Sequence, residues 1–318
     1  MFFFGEKKRS NIFTGENHNG NYVYSAAMNL AWNELSENII KEKIKLKTTK
    51  KKSLKLIEKF NNSSFSKNDL DENSYYIKSG FGEKTLNEIN HTLENRFFKS
   101  KKELFNFKVN DKCMMSFAYF IKKVEYLNEF KEEKVFFKNK SVKGFMASNE
   151  KHKENIKVLN YKSNDSFIIK IQLKNDEDEL FLAKGYKMEY PEELVKIITE
   201  NDSELTSLND NDVFSMPKLA FNFTREYKEL IKLQFDNKNF QEYFISKMFE
   251  TIKFEMNYKG AIIENKAFID GVYASIPPKI DYRKFLLNSP FWVIMKRKNS
   301  KNPFFILGIN NVNIMEVV

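Results

Sequence analysis

The stretch that decides the fold is "ISKMFETIKFEMNYKGAIIENKAF", residues 245–268. Its first half is apolar at every second position, a period of two that predicts a half-buried strand. These apolar residues are Ile252, Phe254 and Met256. After Gly260 the alternation fades, and residues 261–283 have the pattern of neither a helix nor a tight turn. We therefore expect a strand that leads into a long irregular segment.

The composition predicts a globular protein with a large core. The chain has 318 residues, of which 42% are hydrophobic and 32 are phenylalanine. No internal repeat and no Gly/Pro/Ser-rich linker divides it, so we expect one domain over residues 1–318, with residues 1–20 as an N-terminal tail. The net charge of +10 is not taken as evidence of a binding role. Frequent Lys, Asn and Ile codons are typical of an AT-rich genome, which raises the lysine content by itself.

The sequence predicts a cytoplasmic protein with no membrane contact. The opening "MFFFGEKKRS" is too short for the apolar core of a secretory signal, and no later run approaches the ~18 apolar residues of a membrane span. Cys113 is the single cysteine, so no internal disulfide can form and no cysteine-based metal site is expected. We also expect a monomer.

Helical patterns precede strand patterns along the chain. Helices are predicted in "SAAMNLAWNELSENIIKEKI" with Ser25 as N-cap, in "EKTLNEINHTLENRFF", in "YPEELVKIITEN" and in "TREYKELIKL". Strands are predicted in "CMMSFAYF", "KVFFKNKSVKGFMAS", "NIKVLNY", "SFIIKIQL" and "FSMPKLAFNF", and in two apolar runs of the tail, 291–295 and 304–309. One α+β domain is the simplest interpretation.

The order of these segments resembles the serpin family from about Asn21 to Val312. "NYVYSAAMNLA" is similar to the strand-to-helix motif of that family, and "MPKLAFNF" to its Pro-Lys strand. "ISKMFETIKFEMNYKGA" resembles the strand that leads to its hinge glycine, and "NSPFWVIMKRKNSKNPFFILGINNV" its closing hairpin. The resemblance implies large mixed and antiparallel sheets with helices packed around them.

The resemblance also implies that residues 261–283 form an exposed loop. In inhibitory serpins a serine peptidase cleaves this loop, which then enters the largest sheet as an extra strand and traps the acyl-enzyme. The hinge would consist of four residues: Tyr258, Lys259, Gly260 and Ala261. Loop length counted from Gly260 places a scissile bond near four further residues: Val272, Tyr273, Ala274 and Ser275.

The resemblance leaves two functions open, both non-enzymatic. Small or hydrophobic residues at the scissile position would suit chymotrypsin-like or elastase-like peptidases. Inhibitory serpins carry small residues after the hinge, whereas this chain has Ile262, Ile263 and Glu264, although alternation can put Ile263 inward and Glu264 outward. The alternative is a non-inhibitory module of the same fold that binds a protein partner.

A third hypothesis is nucleic-acid binding through the lysine-rich segment Lys41–Lys59. Clustered lysines neutralise phosphates without reading sequence, and the candidate contacts are Lys50, Lys51 and Lys52. Leucine, isoleucine and phenylalanine interleave with these lysines, so an amphipathic helix with a solvated basic face explains the segment better.

Catalytic, metal and cofactor sites are not expected. His18, His91 and His152 are scattered, without the i, i+4 spacing that presents two imidazoles to zinc. Cys113 is expected to pack in a strand rather than to act as a nucleophile. "SGFGEKT", 79–85, lacks the ending of a P-loop and indicates a turn before a helix, and "NDEDEL", 175–180, lacks calcium-loop spacing and indicates a solvated turn.

Overall fold

The computed structural model describes residues 13–201, 204–262 and 282–318. Within these ranges the strands are β1 Glu16–His18, β2 Asn21–Ser25, β3 Tyr75–Phe81, β4 Met114–Phe120, β5 Lys123–Glu125, β6 Lys131–Phe137, β7 Lys140–Met146, β8 Ile156–Ser163, β9 Ser166–Ile171, β10 Asp178–Lys184, β11 Thr206–Ser207, β12 Val213–Pro217, β13 Leu219–Glu226, β14 Phe249–Asn257, β15 Gly260–Ile262, β16 Lys284–Leu286, β17 Phe291–Arg297 and β18 Pro303–Ile309. The α-helices are α1 Ala27–Glu34, α2 Lys51–Asn61, α3 Gly82–Phe97, α4 Glu150–Glu154 and α5 Pro191–Thr199. A π-helical segment, Leu35–Ile40, continues α1, and 3-10 turns occupy Lys67–Asp69, Glu72–Ser74, Lys101–Glu103 and Val312–Ile314.

The largest sheet has eight strands in the order β1-β2-β18-β17-β10-β9-β8-β11. Strands β17 and β18 are the predicted apolar runs of the tail, and they form an antiparallel hairpin at the sheet centre. Almost every residue of both strands is buried, as expected for strands that are covered on both faces. The prediction of a closing hairpin is confirmed.

Three smaller sheets accompany the large one. They have the strand orders β16-β12-β7-β6, β13-β14-β15-β5 and β3-β4. The ladder between β12 and β16 is parallel, whereas the other ladders of these sheets are antiparallel. Strand β14 is the strand predicted from the alternation, and its apolar face is buried as expected: Phe254 stacks on Phe305 of β18 with ring centroids 4.7 Å apart.

The eight-stranded sheet is covered on both faces. One face packs against the inner face of β14 through a cluster that includes Val23, Val293 and Phe254. The opposite face, with Tyr24 and Trp292, packs against α5. A third cluster joins α1 and α2 to the chain between β13 and β14.

Two predicted helices are confirmed by their buried stripes. In α3, Leu86, Ile89 and Leu93 recur at helical spacing and are buried. Helix α5 begins at Pro191, whose fixed φ suits the first helical position. Helix α1 begins at Ala27, and its N-cap residue is Ala26 instead of the predicted Ser25.

The helix predicted in "TREYKELIKL" is wrong. Residues 224–226 extend β13, which pairs with β14 over its whole length, and residues 228–232 form turns. Tyr227 and Leu230 are buried together beneath α2, so tertiary packing overrides the local helical preference.

Residues 13–20 of the predicted N-terminal tail are part of the fold. Phe13 is buried, and Glu16–His18 forms the edge strand β1. The predicted solvated turn at 175–180 also differs from the structure, because Asp178 is buried with its carboxylate 2.7 Å from Nζ of Lys122. None of the helices in the described ranges is both long and apolar enough to cross a membrane.

Candidate partner-binding loop

The first two of the four predicted hinge residues form a turn between two paired strands. Tyr258 and Lys259 connect β14 to β15, and their carbonyl oxygens accept hydrogen bonds from the N–H groups of Phe130 and Tyr126, each at 2.9 Å. The turn is thus held by the chain that follows β5.

Position 260 requires glycine because the backbone of β5 passes very close to it. Gly260 begins β15 opposite Glu125 of β5, and a Cβ at this position would collide with the carbonyl oxygen of Val124. Only glycine fits without displacing the backbone of β5.

The first two residues of the predicted exposed loop belong to strand β15. Ala261 is buried at 1% exposure between Met256 of β14 and Val124 of β5, and Ile262 still pairs with both strands. Ala261 is therefore an inward-facing strand residue, not the first residue of an exposed loop. Residues 263–281 lie outside the described residues, and so do the four predicted scissile-region residues: Val272, Tyr273, Ala274 and Ser275.

The far end of the segment is anchored by an ion pair. Arg283 precedes β16, and its Nη2 lies 2.6 Å from Oδ2 of the buried Asp212. Its Nε and its backbone N–H also donate to the same carboxylate. The guanidinium lies over the rings of Tyr161 and Phe285, at 5.7 and 5.4 Å. These contacts hold β16 in place beside β12.

Two neighbouring strand edges next to β15 have no partner within the part of the chain that the structure describes. Strand β15 is paired on both sides, with β14 and with β5, over its three described residues. Strand β4, which precedes β5 by two residues, pairs with β3 alone, and among the described residues no ladder joins β4 to β14. Residues 114–120 and 249–254 thus each have a strand edge that pairs with no other described residue on the side of β15, and we name the space between these two edges the β4–β14 gap.

Helix α1 closes the gap on its inner side. The helix contacts β3, β4 and β14, and Ser116 of β4 donates a hydrogen bond to the carbonyl oxygen of Ala31 at 2.6 Å. On the outer side, Lys253 of β14 lies 4.0 Å from Glu103, in the segment between α3 and β4. Unpaired edges of this kind are open to pairing with another strand.

The lysine-rich segment forms the predicted amphipathic helix from Lys51 onward. Leu56, Ile57 and Phe60 of α2 are buried, whereas Leu54 is exposed. A shallow groove of about 440 Å³ lies at the helix N-terminus, and its lining residues are Lys50, Lys51, Lys52, Ser53, Lys228 and Glu229. The three candidate lysines are thus brought together at one place on the surface.

Two of the remaining candidates, His152 and Cys113, lie within the described ranges. Ser148 and Asn149 contact the ring nitrogens of His152, and burial lowers the pKa of this histidine. Cys113 directly precedes β4 and is only partly buried. Among residues 13–201, 204–262 and 282–318, no group of three or more His, Cys, Asp or Glu side chains could hold a metal ion.

Two features of the site had no signal in the sequence. Asp212 and Arg283 are far apart along the chain, and each has the pattern of an ordinary polar residue beside a strand. The gap depends on which strands pair, and hydrophobic periodicity carries no information about pairing partners.

Comparison with known proteins supports the fold. No protein-family model and no curated protein matches the chain. A thyroxine-binding globulin in complex with thyroxine has a TM-score of 0.52 and 12% identity, with 93% of each chain covered. A highly specific serpin from the insect Tenebrio molitor has a TM-score of 0.49 and 12% identity, with 92% of each chain covered.

A serpin from Schistosoma mansoni has 15% identity and a TM-score of 0.45, over 70% of this chain and 62% of that one. At these identities the likeness concerns the fold alone. The predicted α+β class, with a large antiparallel sheet and surrounding helices, is confirmed. The chain has the serpin fold, as a divergent example of it.

Proposed function

We propose that the protein binds a serine peptidase through residues 263–281 and that, after cleavage, the first part of this segment enters the β4–β14 gap as an additional strand. The observation that carries the proposal is the position of β15. This strand already lies between β14 and β5, and a straight continuation of it meets two strand edges that have no partner among the described residues.

The register of β15 determines which side chains would face inward. Ala261 pairs with Met256 and Val124, both inward-facing, so every second residue after it shares that face. The inward residues would be Ile263, Asn265, Ala267 and Ile269, and the outward residues Glu264, Lys266, Phe268 and Asp270. Every charge in 263–270 would therefore face outward. Insertion would avoid burying an unpaired charge, which costs several kcal/mol, about 3–5.

The outward face would find complementary neighbours. In the same register Glu264 lies opposite Lys253, and Phe268 lies opposite Phe249. Opposite charges and aromatic rings at such positions stabilise a pair by roughly 0.2–1 kcal/mol each. The sequence of the segment thus matches the existing edge of β14.

The same register supports the predicted cleavage region. Residue 271 would lie opposite Met114, the first residue of β4, so the available edge ends there. Val272, Tyr273, Ala274 and Ser275 follow directly. A peptidase that cleaves after one of them would release a segment long enough to fill the gap, and small or hydrophobic residues suit chymotrypsin-like or elastase-like enzymes.

The test is incubation with chymotrypsin and with elastase, followed by electrophoresis in SDS and by a melting curve. A stable adduct and a large rise in melting temperature after cleavage are expected. Cleavage without an adduct, but with the rise, would reject trapping and retain insertion. Cleavage without either result would reject insertion and leave a protein-binding role. The thyroxine-binding globulin shows that the fold also occurs in a protein named as a binder.

Nucleic-acid binding is a second candidate, because Lys50, Lys51 and Lys52 gather with Lys228 at one groove. It predicts binding to duplex DNA that weakens steeply with salt and is lost when these three lysines are changed to glutamine. The matched control changes three other exposed lysines, Lys101, Lys102 and Lys108, to glutamine. Equal binding by both variants would dismiss the groove as the site.

A further inference from the structure

A buried carboxylate lies on the inner face of β14. Glu250 accepts one hydrogen bond, from the hydroxyl of Tyr227 to Oε1 at 2.6 Å. Its Oε2 is buried and accepts no hydrogen bond among the described residues. A carboxylate in this position is costly to ionise, because burial removes water from the charged form.

The nearest guanidinium is occupied by other partners. Arg225 lies opposite Glu250 in the β13–β14 ladder. Its Nε lies 3.0 Å from Oε2 of Glu16 on β1, and its Nη1 donates to the carbonyl oxygen of Thr14 at 2.5 Å. The guanidinium also lies 4.0 Å from the ring centre of Tyr227. Arg225 therefore ties the β13–β14 pair to the first strand of the eight-stranded sheet.

We propose that Glu250 is a pH-sensitive switch for the connection that Arg225 makes between the β13–β14 pair and the chain at Thr14 and Glu16. We call this connection the joint. While Glu250 is protonated, Arg225 is held by Glu16 and Thr14, and the two sheets are connected. When Glu250 loses its proton, a second carboxylate beside Arg225 competes with Glu16 for the guanidinium and draws water into the cluster. The joint then weakens, independently of any function of the loop.

The surrounding groups favour a titration near neutral pH. Burial raises the pKa of Glu250 to about 7. The hydrogen bond from Tyr227 and the charge of Arg225 lower this pKa, whereas the charge of Glu16 raises it further. Burial also raises the pKa of Tyr227, and of Tyr24 on β2, so that both phenols stay neutral.

Other charged groups also face the cluster. They are His18 on β1, Lys59 on α2, Glu192 on α5, Asp69 in the chain before β3 and Glu229 in the turns after β13. Lys59 donates to the carbonyl oxygen of Phe13 at 3.1 Å, and burial lowers its pKa. His18 interacts electrostatically with Glu16, so a test must separate its contribution from that of Glu250.

The test compares urea denaturation at about pH 5.5 and about pH 8 for the wild type, Glu250→Gln and His18→Gln. Between these pH values the Glu250 contribution should raise the unfolding equilibrium constant of the wild type by roughly tenfold to thirtyfold. Glu250→Gln should remove that increase, whereas His18→Gln should keep it. The same pH dependence in Glu250→Gln and the wild type would overturn the proposal.

Two further readouts keep the proposal testable if Glu250→Gln does not fold. Trp32 stacks on Phe60, which contacts Tyr227, so its fluorescence in a Trp292→Phe background should change with the titration. A ¹³C NMR titration of the wild-type protein measures the carboxyl of Glu250 directly. A titration at the ordinary value of about 4.3 would exclude the switch.

Discussion

Arg283 and Asp212 form the anchor at the far end of the candidate loop, with Nη2 and Oδ2 2.6 Å apart and two further donors, the Nε and the backbone N–H of Arg283, to the same carboxylate. The carboxylate is buried, whereas the guanidinium is partly exposed. Strand β16 has only three residues, so its attachment to β12 depends on contacts of this kind.

Arg283→Ala should therefore weaken the fold. The substitution leaves the buried Asp212 with fewer hydrogen-bond donors, and we expect a loss of about 2 kcal/mol in the free energy of unfolding. This is less than for an ion pair in which both partners are buried, because Arg283 is partly exposed. Urea denaturation measures it. Lys284→Ala, on an exposed neighbour, is the control and should change little; equal losses for the two variants would contradict the anchor.

Gly260→Val should separate β15 from β5. The added side chain collides with the backbone of β5, and we expect a loss of about 1–3 kcal/mol. Hydrogen exchange at the backbone amides of Ile262 and Lys123 should become faster, because these residues are paired across the same ladder. Lys259→Ala in the adjacent turn should leave both amides protected, and protection in Gly260→Val would show that β15 tolerates a side chain there.

Ala267→Asp tests the inward face of the proposed inserted strand. The new carboxylate would lie opposite Glu250 inside the sheet, at a cost of about 3–5 kcal/mol. We expect cleavage by the peptidase to continue while the rise in melting temperature is lost. Lys266→Asp places the same group on the outward face and should retain the rise, so equal behaviour of the two variants would refute the proposed register.

Lys253 and Glu264 test the outward face. Lys253→Glu should lower the yield of inserted protein relative to simple cleavage by about two- to fivefold, because like charges would face each other across the strands. Adding Glu264→Lys should restore the yield. The ratio is measured from the melting curves of cleaved samples, and a double variant no better than Lys253→Glu would argue that the two residues are not neighbours after insertion.

Much of the fold was predictable from local patterns. The alternation of Ile252, Phe254 and Met256 predicts β14, and the apolar runs near the C-terminus predict the central hairpin, because burial of one or both faces leaves a periodicity in the sequence. The order of segments suggested the serpin fold. The helical pattern at 224–233 was misleading, since pairing with β14 and burial of Tyr227 outweigh a weak helical preference.

The sequence by itself determined the elements with strong periodicity, namely β14 and the β17–β18 hairpin. Tertiary structure alone decided that Ala261 is buried, that Arg283 meets Asp212, that Glu250 lies beside an occupied guanidinium, and that no ladder joins β4 to β14 within the described ranges. The physical reason is that these features depend on hydrogen bonds and contacts between residues distant in the chain. Local propensity carries no information about which distant edges meet.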